Sequence, residues 1–279
     1  MKNVLITGAN GFLGTALLHS LNHSDWNAIP LVQEKTGCPH EIVVDFCDDG
    51  FSDILRTLPR VDAVVHLGAR IGWDGSSRAE LFRPNVLATA LLVEWARRND
   101  SHFVFASAAL IAGEWTSGIH AECDLNSTND YLYSKWLGEQ IIQMAGVRHT
   151  ILRFAGIFGK NGPAHLGINN AISGALEGKL PVLKGNGNIK RNYIYVHDAG
   201  AVIRYCMDHP HTVDGIHLAG GSHMDTMGEM LDTICRILLP GHSPEIAPGL
   251  PGVDQLVESS TVLPKGRPFE DAIKEIAKQ

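Results

Sequence analysis

A tyrosine and a lysine lie four residues apart in the segment YLYSK, which reads as part of a helix. Tyr131 and Lys135 therefore project from one face. The ordinary pKa of a tyrosine hydroxyl is about 10, too high for a base at neutral pH, and a neighbouring ammonium lowers it. A lowering of about 3 units corresponds to about 4 kcal/mol, which a close charge in a desolvated cleft can supply. The pair predicts a proton-transferring tyrosine, although this spacing alone is also common on surfaces.

A glycine-rich turn follows the first apolar segment, NVLIT, and precedes a helical segment. In TGANGFLG, one glycine permits a tight turn, one lets backbone approach a pyrophosphate, and one packs the helix on the strand. The helix N-terminus then presents free N–H groups to phosphate. The spacing is GxxGxxG rather than GxGxxG, but the strand-turn-helix context predicts a dinucleotide site. Its residues are Gly8, Gly11, Phe12, Leu13 and Gly14.

The second strand, NAIPLVQEK, carries no acid at its end to hold an adenosine ribose. Gln33 stands there, Glu34 comes one place late, and Lys35 follows. NADP is therefore slightly favoured over NAD as the cofactor. Asp45, with Phe46 beside it, suits the edge of an adenine; the alternative is an acid at a helix N-terminus.

Apolar strands alternate with helical segments through residue 158, which predicts a parallel sheet covered on both faces. The predicted fold class is α/β, a doubly wound Rossmann sheet with a small C-terminal substrate lobe. Residues 1–158 form the dinucleotide-binding domain, to which 192–217 return. Residues 159–191 and 218–279 form the lobe.

The composition excludes several classes of protein. The 279 residues carry a net charge of −7 with no basic block, which argues against nucleic acid or an anionic membrane as partner. Five scattered cysteines without a CxxC, and a first strand beginning almost at Met1, predict a reduced cytoplasmic chain without a signal peptide. No apolar run spans a membrane. Fourteen histidines occur, but without HExxH spacing no metal site is expected.

Several segments, in order, resemble the extended short-chain dehydrogenases/reductases, the NAD-dependent epimerase/dehydratase family. TGANGFLG resembles the family's TGxxGxxG, VVHLGA its HLAA segment, and YLYSKWLGE its YxxSKxxxE. ILRFAGIFG is similar to LRxxxxYG, KRNYIYVHDAG to RDFxxVxDxA, and GRPFEDAIKEI to the closing helix. The resemblance runs nearly end to end, and motifs in the right order are more specific than any one alone.

The resemblance implies roles for individual residues. Tyr131 is the general acid/base, and Lys135 binds the nicotinamide ribose and lowers the tyrosine pKa. Arg191 meets a phosphate or ribose of a nucleotide substrate, unless it forms only a surface salt bridge. Further cofactor contacts are Leu67, Gly68, Ala69 and Asn85, the last matching the asparagine of an N-x-x-G-T helix.

The family's serine pair after the fifth strand is incomplete in ASAALIAG. With Gly113 as the closing glycine, Ser107 matches the first serine, and the second, which bonds the substrate oxygen, falls on Ala108. A shift of one residue would make Ser107 the catalytic serine, with Ala112 in place of the glycine. The unshifted alignment is favoured, and Ala108 then faces the substrate. Groups that could replace the lost hydroxyl are Tyr133, Arg70 and His120.

The favoured function is reduction of a 4-keto nucleotide-activated sugar by hydride transfer, with Tyr131 giving the proton. Alternatives are a nucleotide-sugar 4-epimerase, a carbonyl reductase for another substrate, and a non-catalytic NAD(P)-binding regulator. Water elimination is not expected, because Ala109 and Leu110 replace the Asp-Glu pair of the dehydratases. The family's epimerases commonly carry RPGD near the C-terminus, and this chain does not. A homodimer through the helices at 85–98 and 131–142 is expected.

Overall fold

The computed structural model describes residues 1–72, 75–113, 117–249 and 252–279. Its strands are β1 (Lys2–Thr7), β2 (Trp26–Val32), β3 (Ile42–Val43), β4 (Ala63–His66), β5 (His102–Ala108), β6 (Gly118–Ile119), β7 (His149–Phe154), β8 (Ile157–Phe158), β9 (Val182–Lys184), β10 (Lys190–Arg191), β11 (Ile194–Tyr195), β12 (Gly215–Ala219), β13 (Asp225–Thr226), β14 (Glu245–Ala247) and β15 (Leu256–Val257). Its helices are α1 (Phe12–Leu21), α2 (Phe51–Thr57), α3 (Arg78–Phe82), α4 (Ala88–Asn99), α5 (Asp130–Met144), α6 (Gly167–Leu176), α7 (Val196–Asp208), α8 (Met227–Leu238) and α9 (Phe269–Ile276).

Seven strands form one parallel sheet in the order β12-β7-β5-β4-β1-β2-β3. The strand order reverses between β1 and β4, the point at which doubly wound folds bind their ligands. The predicted fold class is confirmed.

Both faces of the sheet are buried, and each strand contributes to both because successive side chains point to opposite faces. In β1, Val4 and Ile6 pack in a cluster with Leu17 of α1 and Val202 of α7. Leu5, between them, packs in a second cluster with residues of α4 and α5. This double burial explains why the central strands read as nearly continuous apolar runs rather than as alternating ones.

Helices α6, α8 and α9 pack together beyond the sheet, around a third cluster that includes Ile172, Ile234 and Ile273. Strand β12 lies beside β7, and α7 packs against α1, so chain from beyond residue 191 completes the sheet and one covering layer. The two-domain boundaries stay a prediction.

Candidate active site

The glycine turn has no room for side chains. Gly8 has φ +65°, and a Cβ there would lie 2.8 Å from the backbone nitrogen of Gly68. A Cβ on Gly14 would lie 2.2 Å from the Gly8 carbonyl oxygen. The turn therefore brings β1, β4 and α1 together at backbone distance. Helix α1 begins at Phe12 and has no acidic residue in its first turn, so no negative side chain there opposes an anion at its N-terminal amides.

A cleft of about 830 Å³ lies over this turn, at the carboxyl ends of the strands. Most of the predicted cofactor residues line it: Gly8, Gly11, Phe12, Leu13, Gly14, Gln33, Asp45, Phe46, Leu67, Gly68 and Ala69. Arg70, predicted for the substrate, lines it as well. Sequence reasoning missed Asn10, Leu31, Val32, Val44, Cys47, Ile71 and Pro84. Position at the ends of β1, β2 and β4 was the signal that could have found most of them.

Asn85 does not line this cleft. It lies in a π-helical turn, Arg83–Leu87, that joins α3 to α4, and it is 2% exposed. Its amide nitrogen donates to the Arg70 carbonyl (2.8 Å) and to Ser134 Oγ (2.9 Å), while its oxygen accepts the Arg70 N–H (2.8 Å). The asparagine thus holds the loop after β4 against α5, and any effect on a cofactor acts through that loop.

A buried hydrogen-bond chain that the sequence did not reveal ties the glycine turn to this loop. Thr89 donates to the Asn85 carbonyl (2.6 Å) and so accepts from His66 Nε2 (3.0 Å). His66 Nδ1 then accepts from the Thr7 hydroxyl (2.7 Å), which itself accepts the N–H of Gly68 (3.0 Å). Burial holds the pKa of His66 well below its usual range, so the ring is neutral and its two nitrogens keep distinct roles.

Tyr131 lies in the first turn of α5, which Asn129 caps by accepting the N–H groups of Tyr131 and Leu132. It lines a cavity of about 200 Å³ that shares Ile71 with the cofactor cleft. Burial raises the pKa of Tyr131 to about 12. This direction is opposite to the lowering that the spacing predicted, so the hydroxyl is protonated at neutral pH.

Lys135 is 3% exposed, and its Nζ lies 3.9 Å from the centroid of the Phe105 ring. Burial lowers its pKa to about 7, while the negative charge of Glu139 opposes that shift. Near neutral pH, Lys135 is therefore a mixture of the protonated ammonium and the neutral amine. Lys135 is not among the residues that line the cofactor cleft or the Tyr131 cavity.

Ser107 belongs to a buried cluster with Glu139 and Arg153. Its hydroxyl donates to Glu139 Oε1 (2.5 Å), and Arg153 forms a two-point ion pair with the same carboxylate (2.7 and 3.0 Å). Arg153 also donates to two backbone carbonyls, those of Ala121 and Cys123. Glu139 is fully buried and Arg153 4% exposed, so this cluster fastens α5 to β5 and β7.

Ala108 follows on the other side of β5 and is half-buried. Of the groups considered as replacements for its missing hydroxyl, Tyr133 stacks on Trp136 with Arg78 over its ring, and His120 is exposed beside Glu122. Arg70 alone lines the cofactor cleft.

Arg191 lies outside both cavities. Its guanidinium donates to the carbonyls of Lys190 (2.8 Å) and Val253 (2.6 Å), across from the strand that carries Asp225. These contacts join β10 to the segment before β15.

The cleft fits a dinucleotide. The positions of Gly8 and Gly14 have no space for a Cβ, the α1 amides face the cleft, and the volume lies in the range of cofactor pockets. Within the described ranges, no group of three or more metal-ligating side chains occurs. No helix in the same ranges has the length and apolar character to cross a bilayer.

This fold and cleft define a dinucleotide-binding protein of the doubly wound class. A model of the NAD dependent epimerase/dehydratase family matches residues 4–219, and the chain belongs to that family.

Individual relatives share the fold at low identity. ADP-L-glycero-D-manno-heptose-6-epimerase of Alkalilimnicola ehrlichii is 25% identical over 259 residues, 83% of this chain and 79% of that protein. The structure of UDP-N-acetylglucosamine 4-epimerase from Bacillus cereus superposes with a TM-score of 0.85 at 24% identity, covering 100% of this chain and 99% of that one. UDP-glucuronic acid 4-epimerase from Bacillus cereus, solved in complex with NAD, gives 0.83 at 18% identity, covering 99% and 97%.

Proposed function

We propose that this protein transfers a hydride between NAD or NADP and a carbon of a nucleotide-activated sugar, with epimerisation as the net reaction. The observation that carries the proposal is the junction of two cavities at Ile71, one built for a dinucleotide and the other lined by Tyr131. The family match and the epimerase names of the relatives favour epimerisation over the reduction that the sequence favoured.

Cofactor binding and proton transfer fall to different residues of this chain. The α1 amides and the glycine turn bind the pyrophosphate, and Lys135 bonds the nicotinamide ribose. The nicotinamide supplies a reversible hydride acceptor when it is bound. Tyr131 moves the proton of the reacting hydroxyl. In the direction that forms a carbonyl, Tyr131 must accept that proton, which requires positive charge close enough to lower its pKa.

Reduction of a keto sugar is the second candidate, and the state of Tyr131 favours it. With its pKa raised to about 12 by burial, the hydroxyl keeps its proton at neutral pH, which is the state from which a reductase starts.

The cleft admits either NAD or NADP. Gln33 lines the cleft and Lys35 is exposed at the same strand end, which leaves NADP admissible, whereas a structural neighbour was solved with NAD. We also propose a cytoplasmic homodimer. The cysteines are free. Leu87 exposes apolar surface within the segment 85–98 expected to form the dimer, and Phe82 and Met144 expose more next to the two segments.

Product analysis tests the proposal. The purified chain is titrated with NAD and NADP, then incubated with UDP-glucose, UDP-N-acetylglucosamine, UDP-glucuronic acid or an ADP-heptose. An epimerase converts the sugar to its epimer with no net change in reduced cofactor. Stoichiometric consumption of NADH or NADPH on a 4-keto sugar would instead establish the reductase. Cofactor binding without either reaction would contradict both and leave the regulator.

Substitutions at the end of β5 test which residue holds the catalytic position. We expect Ala108→Ser to raise kcat/KM, because it adds a donor where the family has one; such a donor is worth about 10²–10³ in rate. Ser107→Ala should lower stability by about 1.5–3 kcal/mol through its lost bond to Glu139, with little effect on kcat. Ala106→Ser, two residues back on the face of Ala108, is the control. A loss of about 10² in kcat for folded Ser107→Ala would shift the alignment by one residue.

A further inference from the structure

A second cavity, of about 470 Å³, lies at the opposite edge of the sheet. It is bounded by the amino ends of β1, β2 and β5 and by the residues just before β4 and β7. In doubly wound folds the cofactor and substrate bind at the carboxyl ends of the strands. This amino-edge cavity is therefore separate from the candidate active site, and its residues have no part in the proposed reaction.

Basic side chains surround the amino-edge cavity. Lys2, Arg60 and Arg148 line it, and they come from three segments far apart in the chain. Within the described ranges, the Arg148 guanidinium forms no ion pair, and Arg60 uses one N–H on the Asn99 carbonyl (3.0 Å). Two arginine forks and an ammonium at one cavity favour a phosphate group, whose oxygens match the planar donors of a guanidinium.

The buried side chain of His102 lines the same cavity. His102 is 3% exposed, and its Nε2 donates to Thr150 Oγ1 (2.9 Å), because that hydroxyl itself donates to the Val213 carbonyl (2.7 Å). Nδ1 is consequently a lone-pair acceptor, and it has no hydrogen-bond partner among the residues described. This nitrogen has almost no accessible surface, so the ring forms part of the cavity wall and the ligand contacts come from the side chains around it.

The remaining walls define what accompanies the phosphate. Asp62 and Asp100 add carboxylate acceptors, which favour a ligand rich in hydroxyl groups. Trp26 is only 8% exposed, and Lys2 lies 5.2 Å over its ring, so no open aromatic face is present to stack a nucleobase. The chemistry fits a phosphorylated polyol better than a nucleotide.

We propose that the amino-edge cavity binds a small sugar phosphate, with the phosphate on Arg148, Arg60 and Lys2 and sugar hydroxyls donated to the carboxylates of Asp62 and Asp100. Because the cavity is remote from the cleft, occupancy there regulates or stabilises the protein rather than supplying its substrate.

Calorimetric titration of the full chain with glucose 1-phosphate tests the proposal, with inorganic phosphate and glucose as separate arms. UDP-glucose and NAD are included so that the candidate active site is competed for. Glucose 1-phosphate should bind about tenfold or more tightly than inorganic phosphate, and glucose should not bind measurably.

Two substitutions locate the binding. Arg148→Ala, at an exposed side chain, should weaken glucose 1-phosphate about tenfold or more, whereas Arg236→Ala, an exposed arginine on α8, should not. Asp100→Asn keeps the size of the side chain but removes the negative charge from its acceptor, and should weaken the preference for the sugar phosphate over phosphate.

Arg148 and Asp100 are both exposed, so their variants should fold and the outcomes are decisive. Binding that is equal in Arg148→Ala and wild type would place the ligand elsewhere and overturn the proposal. Equal affinity for inorganic phosphate and glucose 1-phosphate, or no binding of either, would overturn it too.

Discussion

Replacement of Tyr131 by Phe is expected to abolish turnover, with a fall in kcat of about 10²–10⁴, while cofactor affinity barely changes. The hydroxyl acts on the substrate, and the ring that remains fills the same space at the start of α5. The measurement is kcat on the best sugar substrate, together with the Kd of NAD or NADP by fluorescence.

Tyr133 provides a matched control on the same helix. Its ring stacks on Trp136 beneath Arg78, at the surface and away from the cleft. Tyr133→Phe should therefore keep near-normal kcat. If Tyr131→Phe retained a near wild-type rate as well, the proton-transfer role would have to move to another residue. Lys135→Ala, in contrast, should weaken both cofactor binding and turnover.

Glu139→Gln is expected to lower the free energy of unfolding by about 3–5 kcal/mol. The substitution leaves Arg153 with its charge in a site where the side chains of the pair are 5% and 0% exposed. Ser107 loses its charged acceptor at the same time. Because whole domains are stable by only about 5–15 kcal/mol, the variant should unfold at clearly lower urea concentration.

Glu94→Gln is the control for this effect. Glu94 also pairs with arginines, Arg97 and Arg98, but on the solvent-facing side of α4, where water already solvates both charges. Little change in the urea midpoint is expected there. An equally small change for Glu139→Gln would mean that the buried cluster does not fasten α5 to the sheet.

The Glu139 substitution has a second readout, in the pH profile. Burial lowers the pKa of Lys135 to about 7, and Glu139 raises it against that effect. Removal of the carboxylate lowers the Lys135 pKa further, so the lysine loses its proton at a lower pH. Any limb of the activity profile that reports Lys135 should move to lower pH, which a purely structural role would not produce.

The glycine turn shows what contiguous sequence determines. Gly8, Gly11 and Gly14 act within one strand-turn-helix unit, and their spacing alone defines the backbone geometry. The sheet was predictable for a related reason, since strands that are buried on both faces read as nearly continuous apolar runs. The family match confirms the resemblance read from the ordered motifs.

The motif match at Asn85 did not predict which groups its side chain contacts. The sequence placed it on a helix that follows the cofactor-lining strand. The structure directs its amide to the Arg70 backbone and to Ser134, which a pattern along one segment does not reveal. The π-helical turn that aims it there depends on how α3 and α4 pack.

The sequence by itself determined the fold, the dinucleotide cleft and the positions of Tyr131 and Lys135, because local spacing and hydrophobic pattern encode all of these. Only the tertiary structure decided the direction of the Tyr131 pKa and the partner of Ser107. The pKa of Tyr131 rises through burial, and Ser107 bonds to a carboxylate that Arg153 holds from another strand. Desolvation and pairing in a low-dielectric interior arise from atoms that meet only when the chain has folded.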